Sequence, residues 1–62
     1  MNYLLHLNGR YYFNRRVPLD LKNFDDRIYV RAALKTDSKK EALRLIGLQN
    51  IQVEEYWKHL IE

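Results

Sequence analysis

The sequence predicts an α+β domain in which a three-stranded antiparallel β-sheet packs against one C-terminal α-helix, in the order β-β-β-α. Three observations predict it. An Asn-Gly pair separates two strand-like stretches, residues 27–34 alternate between apolar and polar side chains, and the last third of the chain has apolar residues at helical spacing. At 62 residues without an internal repeat, the chain is expected to form one domain, residues 1–62, with a small core.

The first two strands form a hairpin around Asn8-Gly9. Both residues accept the positive φ that a type I′ turn requires, so this pair is a strong hairpin signal. The two-residue loop places Leu7 opposite Arg10, and this fixes the register of the remaining pairs. Pro18 ends the second strand because it has no N–H to donate.

Side chains alternate along a strand, so the hairpin has two faces. One face is expected to pack on the core, with the aliphatic stem of one arginine reaching the sheet edge: Leu4, His6, Tyr11, Phe13, Arg15 and Val17. The other face is expected to point outward: Leu5, Leu7, Arg10, Tyr12, Asn14 and Arg16.

A short helical turn is predicted after the second strand, between residues 18 and 24. Pro18 suits the first helical position, and Leu21 and Phe24 are three residues apart, so both are expected to pack under the sheet. Asp25-Asp26 then marks the turn into the third strand.

The third strand is predicted at residues 27–34. Its apolar side chains should face the core: Ile28, Val30, Ala32 and Leu34. Tyr29 and Arg31 then point outward, on the same side as the outward face of the hairpin.

The helix is predicted to run from a capping box at Ser38 and Glu41 to near Leu60. Its buried stripe follows the spacing of three, four and seven residues: Ala42, Leu45, Ile46, Gln49, Val53, Tyr56, Trp57 and Leu60.

Further apolar residues lie off this stripe, at Leu43, Leu48 and Ile51. Three short strands cannot cover this much apolar surface, so some of it should contact another part of a longer chain, a second copy or an accessory protein. We include Trp57 in that interaction surface.

Composition makes several function classes improbable. The absence of cysteine removes disulfides, thiol chemistry and cysteine zinc sites, while His6 and His59 are too far apart in sequence to suggest a metal site. With only two glycines there is no phosphate loop, and no apolar run is long enough to span a membrane. We therefore expect a cytoplasmic domain without catalytic residues, cofactor or metal.

The formal net charge of +3 is distributed unevenly. Residues 1–40 carry a net charge of +5 and residues 41–62 carry −2. A basic strand-rich half indicates a surface for a polyanion, although an ordinary solvated surface explains the charge equally well.

The outward face of the predicted sheet has the side chains that read DNA. Arginine can bond guanine in two places, asparagine can do the same to adenine, and a small antiparallel sheet fits the major groove. A solvated face of cross-strand Tyr and Arg pairs remains the alternative, followed by protein contact and RNA binding through stacked tyrosines.

The sequence also resembles the N-terminal domain of phage-type integrases, the tyrosine site-specific recombinases. The resemblance lies in Tyr3-Leu4, Gly9 with Tyr11-Tyr12-Phe13, Arg15-Arg16-Val17-Pro18, Leu21, Leu34-Lys35-Thr36 and Glu41-Ala42. It covers almost the whole chain.

This resemblance implies a sheet that enters the major groove of arm-type sites beside the recombination core, and a catalytic domain elsewhere in a longer recombinase. It implies base or backbone contacts from Tyr12, Asn14, Arg16, Tyr29 and Arg31, with phosphate contacts at the margins from Arg10, Lys35, Lys39 and Lys40. Relatives often have a basic residue in place of Asn14, so this chain departs from the family there.

Overall fold

The structure is a computed structural model that describes residues 3–62. Its elements follow the predicted order: β1 (Leu4–Leu7), β2 (Arg10–Arg16), a 3-10 turn at Leu19–Leu21, β3 (Tyr29–Ala33) and α1 (Lys39–Ile61). The strands form one antiparallel sheet in the order β1-β2-β3, so the predicted α+β fold is confirmed. Met1 and Asn2, which we expected to lead into the first strand, lie outside the described residues.

The hairpin has the predicted turn and register. Asn8 and Gly9 have φ values of 52° and 75°, as a type I′ turn requires. The four pairs of β1 with β2 begin with Leu7 opposite Arg10 and end with Leu4 opposite Phe13. The hairpin therefore divides its side chains between two faces as the alternation predicted.

One layer of apolar side chains between the sheet and α1 forms the core. Phe13 and Val17 are fully buried on the sheet side, and Tyr3 tilts against the Phe13 ring at a centroid distance of 5.8 Å. The other buried apolar residues come from the third strand, the loop after it and the helix: Val30, Leu34, Ala42, Ile46, Val53 and Trp57.

The helix begins one residue after the predicted N-cap, and its capping box is half formed. The Ser38 hydroxyl oxygen accepts a hydrogen bond from the Glu41 N–H at 3.3 Å. The reciprocal bond is replaced, because the Ser38 N–H donates to Oγ1 of Thr36 at 3.2 Å while the Glu41 carboxylate pairs with Arg44.

Four side chains that we expected on the core side are exposed instead. Ile28 precedes the first residue of β3, and Phe24 follows the end of the 3-10 turn, so neither is held against the core by its element. Tyr56 lines an open groove of about 290 Å³ beside β3. His6 lies one residue from the end of β1 and stacks on the ring of Tyr11 at 4.3 Å.

Candidate nucleic-acid interface

The side of the sheet that faces away from α1 is the outer sheet face. Alternation places six of the predicted DNA contacts on it: Arg10, Tyr12, Asn14 and Arg16 from β2, and Tyr29 and Arg31 from β3. All six are exposed or half-buried, so the structure brings together the residues that the sequence assigned to one surface.

Charge on this face has one sign. The three strands contain four arginines and no acidic residue. Arg15 faces the helix, and the other three arginines belong to the outer sheet face. A surface of this kind attracts a polyanion without a carboxylate of its own strands to repel it.

Asn14 and Arg31 form the central pair of the face. They are directly opposite each other in the β2–β3 register, and Nε of Arg31 donates to Oδ1 of Asn14 at 3.1 Å. This bond leaves the terminal amino groups of the guanidinium and the amide NH₂ of Asn14 outside the pair. Both are donors that could contact base edges or phosphates.

The cross-strand pairs on either side of Asn14 and Arg31 differ in the size of their side chains. Arg16 lies opposite Tyr29, whereas Tyr12 lies opposite the small Ala33. On the β1 side, Leu5 and Leu7 complete the face, as the alternation predicted, and both keep some exposure. The face is therefore basic along β2 and β3 and apolar along β1.

A groove of about 630 Å³ opens at the hairpin end of the sheet. Its walls combine the turn, the ends of two strands and the loop before α1: Gly9, Arg10, Tyr11, Tyr12, Ala33, Lys35, Thr36 and Asp37. Three of these residues are predicted DNA contacts, namely Arg10, Tyr12 and Lys35. The carboxylate of Asp37 partly offsets the positive charge of Arg10 and Lys35.

Lys35 has a left-handed backbone, with φ of 57°. Residues with a Cβ adopt this region at a cost of roughly 1 kcal/mol, and glycine or asparagine is the usual occupant. A lysine here keeps a cation beside the groove despite that cost.

Lys39 and Lys40 are exposed in the first turn of α1 and do not line the groove. Cations near a helix N-terminus are disfavoured by the helix dipole, so their position does not stabilise the helix. Their phosphate contacts at the margin stay a prediction from the resemblance.

Arg15 differs from the prediction that its stem would reach the sheet edge. Its guanidinium carbon lies 4.8 Å from the centre of the Tyr3 ring and 4.9 Å from that of Trp57, and Nη1 donates to Oδ1 of Asn50 at 2.6 Å. It also pairs with Glu54 at 3.6 Å. Arg15 therefore joins β2 to the helix and is not part of the outer sheet face.

Asp25 is a buried carboxylate that sequence reasoning assigned only to a turn. It accepts two side-chain bonds from Arg27, at 2.8 and 2.6 Å, and one from the indole of Trp57 at 3.0 Å. The bonds from Arg27 hold the pKa of Asp25 well below its usual value, against the opposite effect of burial. The Arg27 N–H also donates to Oδ1 of Asp25 at 3.2 Å, so the signal available in the sequence is an aspartate two residues before an arginine.

The predicted interaction surface on the helix needs a correction. Trp57 is buried against Asp25 and Arg15, so it cannot belong to an exposed surface. Leu43, Leu48 and Ile51 are exposed as predicted. Leu43 nevertheless lies about 140° around the helix from Leu48, so the three do not form one stripe.

Two other kinds of site are absent from residues 3–62. No group of three or more His, Cys, Asp or Glu side chains within this range could hold a metal ion. Across the same residues, α1 is not apolar enough to qualify as a transmembrane helix.

Comparison with known proteins gives one match. A family model described as "Domain of unknown function (DUF6538)" matches residues 3–61. No curated protein and no solved structure matches the chain.

Proposed function

The chain belongs to the family described as Domain of unknown function (DUF6538), and from its outer sheet face we propose that it is a DNA-binding domain. More specifically, we propose that it recognises arm-type attachment sites as the N-terminal domain of a phage or prophage integrase. The sheet would enter the major groove. The catalytic residues of the recombinase would lie in another part of a longer chain, in the cytoplasm of a bacterial host.

The observation that carries the proposal is the Arg31–Asn14 pair at the centre of a sheet face without acidic residues. Phosphates need cations, and bases need donors and acceptors held in fixed positions. The bond to Asn14 restrains the Arg31 guanidinium, so less of its freedom is lost when it binds a base or a phosphate.

The spacing of the basic residues along the sheet also supports DNA over a small ligand. Arg10 and Lys35 flank the groove at one end of the sheet, and Arg16 lies toward the other end of β2. Over seven residues of β2 the face extends for about 20 Å, which matches several base pairs better than a single anion. Lys39 and Lys40 could add phosphate contacts at the groove end.

The rest of the chain would position this face. Within the proposal, none of the tyrosines is a recombinase nucleophile, and the domain contributes binding without catalysis. Its part in integration would be to anchor the parent recombinase on DNA that flanks the crossover site.

The proposal is tested by titrating the domain against the attachment-site DNA of the element that encodes it, with a random duplex of equal length for comparison. We expect preferential binding to the attachment site. Affinity should fall with salt, by a slope of roughly 0.9 in the logarithm for each phosphate contacted. Equal affinity for both duplexes, or no salt dependence, contradicts the proposal.

Matched charge removals identify the surface. Arg31→Ala and Arg16→Ala should each weaken binding by about tenfold or more, as loss of a contact worth 1–3 kcal/mol implies. Lys58→Ala removes one positive charge from the solvent side of α1 and should leave the affinity nearly unchanged. Equal losses in all three variants would mean that net charge, rather than the outer sheet face, determines binding.

A further inference from the structure

The solvent side of α1 has a regular pattern that the DNA-binding role does not require. Residues on this side are separated by three and four positions in strict alternation: Glu41, Arg44, Leu48, Ile51, Glu55, Lys58 and Glu62. These positions share one side of the helix, with two apolar residues at the centre and charged residues toward both ends. We call these residues the α1 seam.

The α1 seam is turned away from the domain's own core. Leu48 and Ile51, its central pair, are exposed by 50% and 61%. The residues that bury α1 against the sheet are Ala42, Ile46, Val53 and Trp57, which lie on the other side of the helix. The seam is therefore available to a partner.

The order of charges along the seam is complementary to itself. Two copies of α1 in antiparallel orientation, related by a two-fold axis between residues 49 and 50, place Leu48 against Ile51 of the second copy. In the same register Arg44, which is bonded to Glu41 of its own helix, faces Glu55, and Glu41 faces Lys58. Each of these three pairs occurs twice by symmetry and is either apolar or of opposite charge, and Glu62 falls opposite Asp37, which precedes α1.

A parallel arrangement lacks this match. It would place each charged residue beside its own copy, with Arg44 against Arg44 and Glu55 against Glu55. Repulsion between these like charges disfavours the parallel pairing. The seam thus selects both a partner and an orientation.

Gly47 is a second, independent feature of the same place. It lies in the middle of α1 next to Leu48, where glycine costs about 1 kcal/mol relative to alanine. A Cβ built at Gly47 would meet nothing within 4 Å, so packing inside the domain does not require a glycine. Close approach of a second helix backbone does favour one.

From these observations we infer that the chain forms an antiparallel homodimer through the α1 seam, in which Leu48 packs against Ile51 and Arg44 pairs with Glu55 across the two-fold axis. The contact is small, so we expect a weak dimer that forms only at high protein concentration. Each sheet lies on the outside of the dimer, because α1 separates it from the seam. On the proposed function, the dimer would hold two duplexes on opposite sides.

The test is a charge exchange followed by sedimentation without DNA, so its outcome is independent of the proposed function. For the wild-type chain, we expect the apparent mass to rise from monomer toward dimer over a roughly hundredfold increase in concentration. Arg44→Glu places a carboxylate opposite Glu55, and Glu55→Arg places a guanidinium opposite Arg44. Each single variant should remain monomeric over the same range.

Restoring the pairs should restore the dimer. The double variant, Arg44→Glu with Glu55→Arg, recovers opposite charges at both positions and should associate like the wild type. An equimolar mixture of the two single variants should form a heterodimer, although neither associates alone. Arg16→Glu, which makes the same charge change as Arg44→Glu on the outer sheet face, should leave the dimer intact.

Several outcomes overturn the inference. The inference is wrong if the wild-type chain stays monomeric throughout the concentration range. It is also wrong if either single variant still dimerises, or if the mixture of the two single variants stays monomeric. Loss of the dimer in Arg16→Glu alone would assign self-association to the sheet instead. Circular dichroism of each variant confirms that the helix is folded before sedimentation is compared.

Discussion

The indole Nε1 of Trp57 donates a hydrogen bond to Oδ2 of Asp25 at 3.0 Å, which joins the last turns of α1 to the loop that precedes β3. Arg27 binds the same carboxylate through two nitrogens, at 2.8 and 2.6 Å. Asp25 is only 6% exposed, yet its charge is balanced by Arg27 and both of its oxygens are bonded. A buried carboxylate satisfied in this way fixes the loop on the core.

This arrangement predicts acid sensitivity. Because the pKa of Asp25 is lower in the folded chain than in the unfolded chain, the unfolded state takes up a proton first as pH falls. The contribution of Asp25 to stability is therefore complete above its ordinary pKa and is lost progressively below about pH 4. We expect the free energy of unfolding to fall in that range.

Asp25→Asn isolates this contribution. At pH 7 the variant should be less stable by about 2 kcal/mol, because an amide cannot provide two acceptor oxygens to Arg27 and Trp57. The stability difference from wild type should shrink below pH 4. Urea unfolding followed by tryptophan fluorescence measures both effects, and Asp26→Asn, at the exposed neighbouring carboxylate, should show neither. A difference that stays constant down to pH 2 would contradict the prediction.

Asn14 offers a test of specificity. Asn14→Lys introduces the basic residue that is expected here from the resemblance to integrase domains, and it removes the acceptor for Nε of Arg31. Under the proposed function, binding to random duplex should strengthen and the salt slope should steepen by roughly 0.9. The preference for attachment-site DNA should decrease, because a flexible cation replaces an amide that is held in place by Arg31.

Fluorescence anisotropy with both duplexes, at several salt concentrations, measures the ratio of the two affinities. Asn14→Ala serves as the control, since it removes the amide without adding charge. We expect it to lower the preference for attachment-site DNA without strengthening binding to random duplex. An unchanged ratio in both variants would show that Asn14 does not determine specificity.

A substitution at Lys35 distinguishes an effect on DNA binding from an effect on stability. Asparagine tolerates the left-handed φ of 57° better than lysine does, so Lys35→Asn should keep the stability or raise it by up to about 1 kcal/mol. Under the proposed function, the same change should weaken DNA binding and reduce the salt slope by roughly 0.9. Thermal unfolding and salt-dependent titration give the two values, with Lys58→Asn as the charge-matched control. If Lys35→Asn is less stable than the wild type and binds DNA with unchanged affinity, Lys35 contributes to folding and not to DNA binding.

The parts of the fold that were predictable rest on local rules. The Asn8-Gly9 turn set the register, the alternation then assigned the outward side chains, and the spacing of apolar residues gave the extent of α1 within one residue at each end. These rules fail where an element ends. Ile28 and Phe24 continue an apolar pattern in sequence, but neither belongs to the strand or the turn that would have buried it.

The buried Asp25 was not predictable for a different reason. Its bond to Trp57 joins residues 32 positions apart, and aspartate pairs in loops usually mark solvated turns. Arg15 is a similar case, because its partners Asn50 and Glu54 follow it by at least 35 positions in the sequence. Both polar contacts depend on where α1 crosses the sheet, which no single stretch of sequence specifies.

Gly47 gives a final prediction that links stability to association. Gly47→Ala should stabilise the monomer by about 1 kcal/mol, since alanine favours the helix and its Cβ would meet nothing within 4 Å. Thermal unfolding at low concentration measures this gain. At high concentration, the added methyl group should hinder close approach of the second helix and weaken the dimer several-fold in sedimentation. The exposed Gln52→Ala, also in the middle of α1, is the control for helix propensity. A Gly47→Ala variant that gains stability but dimerises like the wild type would show that the glycine is not needed for close contact between the helices.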